Sequence, residues 1–218
     1  MFAQQAGPGR ANSTRPIFKA LALKEGFELM DRKIILATVL ALLLSACNST
    51  PTSNVTNYET AGNLESPNPV GCVSVGGLSN KQNPVDIFTG LNACLIKNNY
   101  SNAAELYFAG MSYGFFDTKR VSDITAHQAI SVLRMNLFAA QPQEVLDKLQ
   151  AALTNINSDN TAICKSLTKL GAPAYKPTYM IQHGMGAFTG QSTKDGLVEN
   201  FDSGAGWKDA LSTIAKCV

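Results

Sequence analysis

Two histidines and five cysteines hold most of the reactive side-chain chemistry in this sequence of 218 residues. His183 stands in a segment that also carries Tyr175, Tyr179, Met180, Met185 and Phe188, interleaved with Gly184, Gly186 and Gly190. Aromatic rings beside permissive glycines suit a surface that meets a ligand or partner, so Tyr175, Tyr179, His183 and Phe188 are the candidate contact residues. A general base at position 183 would need a nucleophile or substrate within hydrogen-bond reach, with Tyr179 and Asp202 as neighbours. No Ser-centred nucleophile elbow, no HExxH pair and no phosphate-cradling glycine loop accompanies it. No catalytic residue is therefore assigned. His127, in Thr125-Ala126-His127-Gln128, falls inside a predicted helix and reads as a capping or part-buried side chain. Two histidines without a flanking carboxylate cluster argue against a metal site, and no motif for a cofactor is present.

The cysteines differ in context. Cys47 closes the tetrad Leu44-Ser45-Ala46-Cys47, which follows an apolar or small-residue run from Ile34 to Leu44 and the polar Asp31-Arg32-Lys33. That run is shorter than the roughly 20 residues of a bilayer-spanning helix and matches the 7 to 15 of a signal-peptide apolar core. The pattern over Asp31 to Cys47 resembles bacterial lipoprotein signal peptides with a lipobox. The resemblance implies diacylglyceryl transfer to the Cys47 thiol, cleavage between Ala46 and Cys47, and acylation of the new amine. Two or three acyl chains anchor stably where one binds only marginally. The resemblance further implies attachment to a lipid bilayer through Cys47. Asn48, in place of an aspartate, favours the outer membrane facing the periplasm. Residues 1–29 fit this scheme poorly. Met30-Asp31-Arg32-Lys33 is an ordinary signal-peptide start, and Lys24-Glu25-Gly26 can be encoded by a purine-rich stretch placed like a ribosome-binding site. The expectation is that 1–29 is an upstream extension, 30–46 the signal peptide, 47–70 the lipidated cysteine and a flexible tether, and 71–218 a helical periplasmic domain.

Six of the 18 basic and three of the 16 acidic residues precede Cys47, so the remainder is close to neutral. No basic run survives to suggest nucleic acid. Residues 48 to about 70 are rich in Asn, Ser, Thr and Pro, which cannot repay their ordering entropy by burial. With Cys47 spent on lipid, Cys72, Cys94, Cys164 and Cys217 form an even set, and an oxidising compartment favours two disulfides. Of three possible pairings, Cys72–Cys94 with Cys164–Cys217 is favoured because each bond secures an otherwise loose end.

The elements that must position these groups are helical. Ile87, Leu91, Cys94 and Leu95 repeat at helical spacing after Pro84, predicting a helix to about Lys97. Ser101 as N-cap predicts a second helix to about Gly110 or Gly114, folding back as a hairpin. Tyr100, Ala103 and Tyr107 give that hairpin a faint resemblance to a tetratricopeptide unit, with no second copy at the 34-residue period. Further helices are predicted from Ser122 or Asp123 to Ala139, Glu144 to Ile156, Thr161 to Leu170, and Ala205 to Cys217. Phe115-Phe116, Tyr107 and Tyr113 read as packing residues, and Lys119-Arg120 as a solvated turn. Alternation of the strand type is confined to Cys72 to Val75. The expected architecture is all-α, a single bundle or irregular array of about 5–6 helices, with a long Gly/aromatic-rich segment before the last. Tyr179 to Phe188 has the spacing of a short helix within that segment.

These features favour a membrane-anchored, non-enzymatic envelope lipoprotein whose helical domain binds a protein partner, as an assembly accessory or an immunity-type inhibitor. The alternatives are a domain binding peptidoglycan or a small ligand, and a hydrolase using His183.

Overall fold

The computed structural model describes residues 60–190 and 195–217; Cys47, the apolar run before it and the rest of 1–59 lie outside the described residues. The described chain is all-α, with six helices of ten residues or more and two short ones. We number them α1 (Pro84–Ile96), α2 (Tyr100–Arg120), α3 (Ala129–Ala139), α4 (Gln143–Ser158), α5 (Thr161–Leu170), α6 (Thr178–Ile181), α7 (Met185–Thr189) and α8 (Ser203–Ala215). Single 3-10 turns cover Val75–Gly77 and Ile124–Gln128. The only β-type pairing among the described residues is the isolated bridge between Val121 and Leu197, so the alternation near Cys72 to Val75 forms no strand.

A capping box starts α1. The Asn83 side chain accepts from the Asp86 amide at 3.0 Å, and the Asp86 carboxylate accepts from the Asn83 amide at 2.9 Å. Pro84 fills the first turn, where its missing N–H costs nothing. Helix α2 begins a residue earlier than Ser101, because Asn99 is the cap and accepts from the Asn102 amide at 3.1 Å. It also runs ten residues past Gly110. Glycine inside a helix costs up to about 1 kcal/mol relative to alanine, and here close packing offsets that cost. A methyl on Gly110 would stand 2.7 Å from the Phe88 ring, and one on Gly114 would collide with Ile130. These glycines are seats for neighbouring side chains rather than stop signals.

Helix α2 is the axis of the fold, with α1, α4 and α8 packed against it. Its buried Leu106, Tyr113 and Phe116 meet Ile87 and Leu91 of α1, Leu149 of α4 and Trp207 of α8 in one core. Trp207 sits edge-on to Tyr113 at 5.4 Å between ring centres, a favourable aromatic arrangement. Both favoured disulfides are present, Cys72–Cys94 and Cys164–Cys217. The first ties the segment before α1 to α1 itself. The second ties α5 to the C-terminus, where Asn160 also donates to the carbonyls of Ala215 and Lys216 at 3.0 and 2.9 Å.

One expected boundary shifts: residues 60–70, assigned to the tether from sequence, belong to the folded body. Ser66 Oγ and the Asn68 amide donate to the buried Asp86 carboxylate at 2.7 and 2.9 Å, and the Leu64 amide donates to the Tyr179 carbonyl at 3.2 Å. The Gly/aromatic-rich segment between α5 and α8 packs over the helices, as its aromatic residues lead one to expect. Tyr179, Met180 and Ile181 are buried with Val121, Ala126 and Ala129 in a second core cluster.

Candidate functional site

The extension of α2 beyond Gly114 carries Asp117 and Arg120 into the interior. Asp117 is fully buried, and its carboxylate meets two hydroxyls and a guanidinium. One oxygen accepts the hydroxyls of Tyr175 and Tyr179, at 2.8 and 2.9 Å. The other accepts Arg120 Nε at 2.7 Å and lies 2.7 Å from Nη2. Arg120 is therefore a largely buried ion-pair partner rather than part of a solvated turn. Its guanidinium also covers the rings of Phe116 and Tyr175, at 5.0 and 5.1 Å. Neighbouring Lys119 keeps to the surface and pairs with Asp209 at 2.9 Å. Burial lifts the Asp117 carboxyl to about 6, against the opposing pull of Arg120 and the hydroxyl donors. Burial and the nearby Asp117 charge push both tyrosine hydroxyls well above their usual range. Tyr113, four residues before Asp117, donates to the Gly171 carbonyl at 3.0 Å. The start and middle of the glycine-aromatic segment are thus clamped to one face of α2.

On the outer side of these tyrosines lies a cavity of about 250 Å³. Tyr175 and Tyr179 form part of its wall, and Glu65, Lys81, Lys176 and Thr178 reach it from three separate stretches of chain. The opposing wall is held by Asn83, whose amide donates to the Glu65 carbonyl at 3.1 Å. Gly62 has φ +91°, a conformation that side chains disfavour, and a methyl there would stand 3.0 Å from Thr178. Glycine at 62 lets the two walls approach each other.

His183 and Phe188 face other surroundings. His183 is half-buried, and its Nδ1 is 2.9 Å from the Asn63 side-chain oxygen. Burial lowers its tendency to protonate. His127 places Nε2 2.9 Å from the Val121 carbonyl, a local packing contact. The structure divides the four candidate contact residues among distinct environments. Tyr175 and Tyr179 join at Asp117, His183 pairs with the 60–65 segment, and Phe188 projects from α7.

Helix α7 is mounted on the turn before α3. The Gly186 amide donates to Asp123 at 2.8 Å, and the Met185 amide to the Thr125 hydroxyl at 2.8 Å. Thr125 in turn donates its hydroxyl and its amide to Asp123, at 2.6 and 2.9 Å. These hydrogen bonds outweigh desolvation and hold the Asp123 carboxyl below its usual range. A methyl on Gly184 would collide with the Asp123 carboxylate and the Ala126 methyl, so the contact needs glycine there. On the two joined elements Ile124, Met185 and Phe188 remain exposed, at 77, 58 and 39 %.

Sequence reading missed Asp117, and it placed Asp123 at a helix start, where it caps the turn, without showing that it also holds α7. The only available signal was their position among Tyr113, Arg120 and Thr125, which cannot show that a helix continues or what folds over it. Among the described residues no cluster of three or more His, Cys, Asp or Glu side chains is arranged to hold a metal ion. Among them, too, no helix is long and apolar enough to cross a membrane. No family model matches the sequence, and no curated protein or solved structure matches it.

Proposed function

We propose that this chain is an envelope lipoprotein, anchored by acylated Cys47 in the outer membrane and facing the periplasm, whose helical domain binds a protein partner without catalysing a reaction. The observation that carries the binding role is the apolar exposure of Ile124, Met185 and Phe188 on elements fixed by Asp123. Large apolar groups held rigidly at a surface lose little conformational entropy on docking, and such anchors dominate interface energetics. Two disulfides support placement in an oxidising compartment. The lipobox pattern at Leu44-Ser45-Ala46-Cys47 supports the anchor.

The partner role is tested in cells with a photo-crosslinking residue at position 188 and, as a control, at exposed Asp147 on α4. One defined adduct specific to 188, abolished by Met185→Asp, is the expected result. Equal adducts at both positions, or none at 188, would refute the role. The anchor is tested separately by labelling with a radioactive fatty acid. The wild-type chain takes up label and fractionates with membranes, whereas Cys47→Ser does neither.

A further inference from the structure

We infer that the cavity walled by Tyr175 and Tyr179 binds a small acidic zwitterion, of the size of an amino dicarboxylate or a dipeptide with one acidic side chain. The inference is independent of the apolar surface on α7.

Three charged side chains line this cavity, Lys81, Lys176 and Glu65. None of them has a hydrogen-bond or ion-pair partner among the described residues. Opposite charges at one cavity that do not neutralise each other leave two cationic positions and one anionic position for a ligand. An ammonium group is a compact point charge that suits a carboxylate. Two such groups with one carboxylate match a molecule bearing two carboxylates and one ammonium. Size agrees with this. At about 250 Å³ the cavity falls below the roughly 300–1,000 Å³ of sites for drug-sized ligands. The walls are also fixed before any ligand arrives. Both tyrosine hydroxyls are committed to Asp117, and the Glu65 backbone is held by Asn83. A preformed wall lowers the ordering cost of binding.

The test is calorimetric titration of the full-length chain at low salt with L-alanyl-L-glutamate, L-alanyl-L-glutamine and inorganic phosphate. The acidic dipeptide should bind at least about fivefold more tightly than either comparison ligand, the difference one exposed charge pair supplies. Lys81→Gln and Lys176→Gln should each weaken it by about fivefold, and Glu65→Gln should remove the preference for a free over an N-acetylated amine. Lys165→Gln, on α5, should change nothing. All four are exposed positions, so none of the substitutions leaves a buried group unpaired. Absence of binding, equal binding of the amide dipeptide or phosphate, or an equal effect of Lys165→Gln would overturn the inference.

Discussion

A buried carboxylate whose protonation depends on its surroundings gives Asp117 a predictable thermodynamic signature. Its carboxyl is raised from 3.8 to about 6, so the folded state holds the proton more tightly than the unfolded chain. Its contribution to stability is full below about pH 4 and is lost as pH rises through about 6. The difference amounts to about 3 kcal/mol. His183 acts in the opposite direction, because burial lowers its proton affinity. Its contribution is full above about pH 6.5 and declines as pH falls below that value. Denaturant titrations between pH 4 and 8 should therefore separate the two. Asp117→Asn removes the loss of stability on raising the pH, and His183→Gln removes the loss on lowering it. Asp117→Asn also strips Arg120 of its anion, which should lower stability at pH 7 by about 3 kcal/mol. Unchanged stability in that variant would show that the tyrosines and Arg120 do not depend on the carboxylate.

At the scale of elements, the glycine-aromatic segment is ordered by anchors at separate points, and each can be released alone. Gly184→Ala drives a methyl into Asp123 and Ala126, an overpacking that costs about 1–3 kcal/mol. Because α7 is a peripheral element, that cost should appear as local release. Hydrogen exchange should accelerate over 183–190 while protection in α2 stays near wild type. Asp123→Ala should do the same by removing the acceptor of the Gly186 amide. The Cys164–Cys217 bond closes a stretch of 53 residues between α5 and the C-terminus. Replacing both cysteines with alanine should cost about 2–4 kcal/mol, read as a lower denaturation midpoint. Helix α2 illustrates why element ends resist sequence reading. Glycine weakens a helix locally, yet Phe88 and Ile130 fill the space above Gly110 and Gly114 and carry it on to Arg120.

For the whole molecule, the fold separates two faces of different chemistry. The polar cavity beside Tyr175 takes its walls from the 62–68 segment, Lys81 and Asn83 before α1, and the stretch after α5. The apolar exposure at Met185 and Phe188 stands on α7 and the turn before α3. Substitutions of exposed side chains on one face should leave the other unaffected, since Ile124, Met185 and Phe188 line no part of the cavity. Met185→Asp should abolish crosslinking at position 188 and leave dipeptide binding within about twofold of wild type, because Met185 is exposed and lines no wall of the cavity. Coupled losses would indicate that both effects arise from unfolding.

Helical periodicity and capping residues made the all-α class and the six longer helices legible from the sequence, because these signals act over three or four residues. An even set of cysteines likewise pointed to two disulfides. Favouring the observed pairing needed only the argument that each bond holds a loose end. The tertiary structure alone decided what surrounds a charge. Asp117 and Arg120 sit near the end of a helix in a sequence that reads as surface, and only the folding of Tyr175 and Tyr179 over them, 58 and 62 residues later, makes them an interior cluster. The same long-range packing drew residues 60–70 out of the expected tether, since the acceptor that orders them is Asp86 on α1. Local preferences set which segments become helices. Burial of charge depends on chain segments distant in sequence, and no local pattern encodes it.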